Sequence, residues 1–151
     1  MFQEAIVKYA IGLLALCLSG CLHTESASIL VEPASAMLVE GKILRESVGV
    51  ETLGGVFTPL LTKGCEIPCS RSETFSTAED GQSQILVRLY RGNTRMVKTA
   101  RSLGEFQITG FAPARRGEPA IAVKFEVDAG GFTLSATDIK DSSRLSITRI
   151  E

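Results

Sequence analysis

Alternation of apolar and polar residues dominates the chain after Gly41. Ile121, Val123, Phe125 and Val127 alternate with Ala122, Lys124 and Glu126, the pattern of a strand with one face in a core and the other in water. Asp128-Ala129-Gly130-Gly131 marks a turn into Phe132, Leu134 and Ala136, which alternate with Thr133, Ser135 and Thr137. A hairpin is predicted there. Upstream, Ile85, Val87 and Leu89 alternate with Leu86, Arg88 and Tyr90 before a turn at Arg91-Gly92-Asn93. Gly104 to Ile108 reads as a further strand with Phe106 and Ile108 inward. A turn from Asp138 to Ser143 leads to a last strand with Leu145 and Ile147 inward. No segment after Gly41 has a helical period. The expected fold is all-β, an antiparallel β-sandwich of about eight strands behind an N-terminal apolar signal or anchor segment.

That apolar segment runs from Tyr9 to Leu18 and is followed by Ser19-Gly20-Cys21. It is too short to span a bilayer well as a helix but suits the apolar stretch of a signal peptide. Leu18-Ser19-Gly20-Cys21 resembles the bacterial lipobox, in which the Cys receives diacylglycerol, so Cys21 is the expected lipidation site. An uncleaved anchor and a cytosolic segment are the alternatives. Residues 22–41 are rich in Ser, Ala and Glu with no sustained period, which reads as a tether. Its apolar triplets Ile29-Leu30-Val31 and Met37-Leu38-Val39 either dock on the domain or add an edge strand. The expected division is 1–20 signal, 21–41 tether and 42–151 sandwich. The expected location is the bacterial cell envelope, lipid-anchored on the periplasmic or outer-membrane side, with the cytoplasm as the alternative.

Charge and composition change this picture by exclusion. Sixteen Lys and Arg oppose 17 Asp and Glu, so no basic footprint for nucleic acid exists. Arg115-Arg116 alone is too short. His23 is the single His and lies in the tether. With Cys65 and Cys69 it makes too few ligands for a zinc site. No Ser or Asp lies in a nucleophile motif, and no glycine-rich phosphate loop precedes a helix. Neither an enzyme nor a bound cofactor or metal is expected. Cys65 and Cys69 are either free thiols or a disulfide. Along an extended strand their Cα atoms would be roughly 13 Å apart, beyond bridging distance, so a bridge needs a turn at Ile67-Pro68.

Four blocks carry a family resemblance: G-V-E-T-L-G-G-V at 49–56, F-S-T-A-E-D-G-Q-S at 75–83, R-S-L-G-E-F at 101–106, and R-R-G-E-P-A-I-A-V-K-F-E-V-D-A-G-G at 115–131. Through them Val48 to Ile150 resembles the β-sandwich peptide-binding subdomain of DnaK-type chaperones, the heat-shock protein 70 family. The resemblance implies a cleft for extended peptides. Val50, Thr52, Leu53, Gly54 and Val56 match its first wall. Phe75, Ser76, Ala78, Gln84, Ile85 and Val87 match the second. Leu53 and Ala78 match the pair that arches over the bound backbone, and Ile85 the floor of the central pocket. Burying one aliphatic side chain in such a pocket is worth ~1.5–3 kcal/mol, while strand-like backbone bonds hold the peptide without reading its sequence.

Departures from the family pattern set the functional expectation. Glu40-Gly41-Lys42-Ile43 stands where the family has a Leu-rich linker, and Arg45-Glu46 where apolar residues and a Pro usually sit. Gln84 replaces a small apolar residue, Arg115 a Pro and Ala112 an Asn. Neither a nucleotide-binding domain nor a helical lid is recognised in these 151 residues. The expected function is therefore a chaperone-like module holding apolar segments of unfolded proteins, with weak and fast binding. The membrane, through the lipid, and a separate ATPase-domain protein are the further expected partners. A structural sandwich and a chaperone remnant without binding activity are the alternatives.

Overall fold

A computed structural model describes residues 26–39, 41–141 and 144–151. The Tyr9–Leu18 segment and Cys21 lie outside the described residues. In chain order the elements are β1 (Ala27–Pro33), a one-turn helix α1 (Ala34–Met37), β2 (Leu38–Val39), β3 (Ile43–Leu44), β4 (Ser47–Thr52) and β5 (Val56–Leu61). They continue with β6 (Cys69–Phe75), β7 (Gln84–Gly92), β8 (Arg101–Thr109), β9 (Ile121–Val127), β10 (Gly131–Asp138) and β11 (Ser146–Arg149).

The strands build the expected antiparallel sandwich. One sheet has the order β1-β10-β9-β6 and the other β11-β8-β7-β4-β5, with β2 and β3 as a small separate ribbon. Alternation on β7, β9 and β10 sends Ile85, Val87, Leu89, Val123, Phe125, Phe132 and Leu134 into one shared core with Phe106 and Ile108. Phe57 is buried outside that core, where its N–H donates to Arg95 O at 2.9 Å.

Register defines two poles. Phe75, Ile121 and Asp138 lie side by side at one end of the first sheet. Gln84, Thr109 and Ser146 lie at the corresponding end of the second. The β6–β7, β8–β9 and β10–β11 connections join these ends and, with the β4–β5 turn, form the upper pole. Ser47, Gly92 and Arg101 mark the lower pole.

Of the two places expected for the apolar triplet Ile29-Leu30-Val31, the structure gives the edge strand. Residues from Ala27 onward, read as tether, form an edge strand on β10, with Ala27 opposite Ala136 and Ile29 opposite Leu134. A register shift between Leu30 and Glu32 interrupts the alternation, which is why no period shows in the sequence. Gly131 permits this contact: a Cβ there would come within 2.2 Å of Glu32 O.

A buried cation fastens this added segment. Arg91 of β7 is 7% exposed and donates through Nη1 to Ala36 O at 2.6 Å. The same guanidinium lies 3.7 Å from Glu32 Oε2 and 3.5 Å from Glu46 Oε2. Arg45 reinforces it, donating from Nη2 to Leu38 O at 3.2 Å.

Cys65 and Cys69 are joined in a disulfide, with Cα atoms 6.4 Å apart. The extended spacing does not apply because the chain reverses between them. Cys65 O accepts from Leu44 N at 2.9 Å, and Ile67 N donates to Lys42 O at 3.0 Å.

Replacing Arg91 leaves Glu32 and Glu46 without their buried counter-charge, so Arg91→Met should destabilise the domain by about 3 kcal/mol. Urea unfolding reads the loss. Hydrogen exchange should show the Ile29 to Val31 amides losing protection ahead of those of β9.

Candidate functional site

The site is built on an unequal pairing of β7. Its contact with β8 runs from Gln84–Thr109 to Arg91–Arg101. Its contact with β4 runs only from Ser47–Gly92 to Val50–Leu89. Beyond Val50 the ladder stops, and Glu51 and Thr52 share a groove with Leu86 and Arg88 without ladder pairing. Strand-like backbone diverging at the upper pole is the geometry into which an extended segment fits.

Two grooves flank the divergence and share Leu86. One, of about 330 Å³, is lined by Glu51, Thr52, Leu53, Gly54, Leu86 and Arg88. The other, of about 490 Å³, is lined by Phe75, Ser76, Ala78, Glu79, Gln82, Gln84, Ile85 and Leu86. The residues expected from the sequence thus separate into four sets. Thr52, Leu53 and Gly54 line the first groove; Phe75, Ser76, Ala78, Gln84 and Ile85 line the second. Val50 and Val87 are buried beneath, 8% and 2% exposed. Val56 lines neither groove and instead bridges to Met96. Ile85 is 4% exposed while Leu53 is 98% exposed, so Leu53 packs on nothing and the Ile85 side chain is nearly closed off from solvent.

Each loop at the mouth is braced by its own chemistry. In the β4–β5 turn Gly55 N donates to Thr52 O at 3.2 Å. Gly54 and Gly55 both have positive φ there, a conformation that costs other residues roughly 1–2 kcal/mol. The turn is backed by Val97 N donating to Gly55 O at 3.0 Å. In the β6–β7 loop Gln82 Oε1 accepts from Ala78 N at 2.9 Å and Glu79 N at 3.3 Å. Its Nε2 donates to Gln84 O at 2.5 Å. The β8–β9 loop supports this loop from outside. Gly117 N donates to Thr77 O at 3.0 Å, Gly81 N to Ala114 O at 2.8 Å, and Arg116 N to Asp80 Oδ1 at 2.8 Å.

A charged strip crosses the start of the divergence. Arg88 donates through Nε to Glu105 Oε2 at 3.0 Å and reaches Glu51 Oε2 at 3.8 Å. Tyr90 donates its hydroxyl to the same Glu51 oxygen at 3.3 Å. Burial first, and the Glu51 carboxylate second, push the Tyr90 phenol above its ordinary value, so it stays a proton donor at neutral pH. The Glu105 carboxylate raises Arg88 in the same sense. Glu51 and Arg88 are themselves walls of the first groove, and these contacts tie that wall to the sheet's outer face. Among the described residues no group of three or more His, Cys, Asp or Glu side chains is placed to hold a metal.

The model of the Hsp70 protein family matches residues 32–150. The chain belongs to the Hsp70 family. Among its relatives is a protein named Chaperone protein DnaK from Anaplasma marginale (strain St. Maries), 41% identical over 105 residues. That similarity covers 70% of this chain and 16% of the relative, so the chain spans about a sixth of the length of that Hsp70 protein. The family match begins inside β1 and takes in every strand of both grooves.

Leu86, Glu51, Arg88 and Gln82 were given no site role from the sequence. Leu86 had a visible signal, since it is the apolar exception on a face of β7 otherwise made of Gln84, Arg88 and Tyr90. Gln82 had none, because its three loop hydrogen bonds depend on the folded turn. Gln82→Ala should accelerate amide exchange at Ala78 and Glu79. The global unfolding free energy should fall by no more than about 1.5 kcal/mol, the usual net range for such bonds.

Proposed function

We propose that the divergence between β4 and β7 holds an extended apolar segment of an unfolded protein, and that the chain acts as a chaperone-type binding module, not as an enzyme. The observation that carries this reading is the unequal pairing of β7, held by β8 along Gln84 to Arg91 but by β4 only from Leu89 onward. Hsp70 membership supports it. So does the presence of Phe75, Ser76, Ala78, Gln84 and Ile85 around one groove. The segment's backbone lies along the diverging strands, and one aliphatic side chain enters beside Ile85 as Leu53 folds over it. Leu86 supplies apolar surface shared by both grooves.

An ATPase-domain protein is a further proposed partner, with weak coupling to this domain. The Arg45-Glu46 stretch supports this, because both side chains are engaged within the domain. Arg45 holds Leu38 O and Glu46 faces Arg91. Open grooves with solvent on one side imply fast dissociation and micromolar affinity, since related complexes differ mostly in off-rate.

Fluorescence anisotropy of a labelled, Leu-centred peptide titrated with the domain tests the binding reading. Saturable binding is expected, lost in Ile85→Phe, which fills the pocket, and weakened in Leu86→Glu. A folded domain that leaves the peptide free at millimolar concentration would overturn it in favour of a structural sandwich.

We further propose that Cys21 carries lipid and holds the domain at the cell envelope, on the strength of Leu18-Ser19-Gly20-Cys21 following an apolar run. Cys21→Ala should abolish incorporation of a fatty-acid probe and shift the protein out of the membrane fraction.

A further inference from the structure

The chain enters the sandwich at the pole that carries the grooves. Ala27 pairs with Ala136, two residues from Asp138, which is opposite Ile121; Ile121 in turn is opposite Phe75. Between Cys21 and Ala27 lie five residues, Leu22 to Ser26, an arm that reaches at most ~20 Å even when fully extended. The nine residues of β7 make the sandwich roughly 30 Å long from pole to pole. The arm is therefore shorter than the body it holds. A lipid at Cys21 cannot lie in a bilayer that touches the lower pole, because Ala27 would then be too far from it.

We propose that the upper pole rests against the phospholipid bilayer and that the grooves open toward the membrane surface. This rests on the lipid-anchor reading and adds the surface that the anchor presents to the membrane. The pole is suited to a headgroup layer. Leu53 and Ile139 are 98% and 58% exposed there, and the neighbouring loops carry Arg115, Arg116 and Lys140 together with Glu79, Asp80, Glu118 and Asp141. Lys140 Nζ donates to Glu118 O at 2.8 Å, which keeps that cation at the pole. Exposed aliphatic tips among charges of both signs match the boundary between acyl chains and a zwitterionic headgroup layer. The clients that such an orientation favours are apolar segments emerging at the bilayer surface, not chains free in bulk solvent.

The chain contains no Trp, so single Trp reporters can be read without background. Ile139→Trp reports the upper pole. Lys63→Trp reports the lower one, where Lys63 N donates to Ser47 Oγ at 3.0 Å. The full lipidated chain would be reconstituted in phosphatidylethanolamine–phosphatidylglycerol vesicles with brominated acyl chains, which quench nearby indoles. Ile139→Trp should lose most of its emission and Lys63→Trp almost none. Flotation with the vesicles but equal quenching of both, or stronger quenching of Lys63→Trp, would overturn the orientation and leave the anchor standing. A protein that does not float would overturn the anchor and the orientation with it. An unquenched Ile139→Trp together with a dimer by light scattering would assign the pole to a second copy instead.

Discussion

Everything at the upper pole depends on β7 having a complete partner on one side and half a partner on the other. The β8 ladder holds β7 straight through Gln84, and its inward residues Ile85 and Val87 are anchored in the core. β4 is therefore free to leave after Val50 without loosening the strand it leaves. The departing end is held by other means: the Thr52–Gly55 turn, the Val97 brace, and the Glu51 contacts with Arg88 and Tyr90. A sandwich in which both ladders ran to the end would have the same core and no groove. Only the Glu51 contacts cross the gap, at its foot, while the β4–β5 and β6–β7 loops are held from outside it.

Much of the fold was legible because its central strands are regular. On β9 and β10 every inward position is apolar or small apart from Asp138, and their hairpin has its turn residues in place. β6 was not legible as a strand. It lies at a sheet edge, and its register puts Arg71 and Glu73 on the same side as Phe75. Those two pair with each other at 2.7 Å in the open flank of the sandwich. β1 was legible only as one of two outcomes for Ile29-Leu30-Val31, since its register shift breaks the period, and the disulfide only as conditional on a turn at Ile67-Pro68.

The candidate site was legible only through family resemblance. Its defining feature is the end of a ladder between β4 and β7, strands separated in sequence by β5 and β6. Nothing local in either strand records where pairing stops. Composition also misleads there, since residues matched to the groove include Val50 and Val87, whose side chains serve the core. The exposed Leu86 on a polar face was the one local mark of the groove.

The strand that the N-terminal region lends to β10 has a consequence for how selective the molecule is. A bare strand at a sheet edge offers its backbone to any extended chain, and on the proposed function such an edge would compete with the grooves. Without β1, the flank of β10 would be such a place, long and apolar on one side, and copies would be free to add to one another there. Filling that flank from its own sequence, fastened by Arg91, moves the edge from β10 to β1, where the register shift between Leu30 and Glu32 interrupts the regular ladder that an added strand would need.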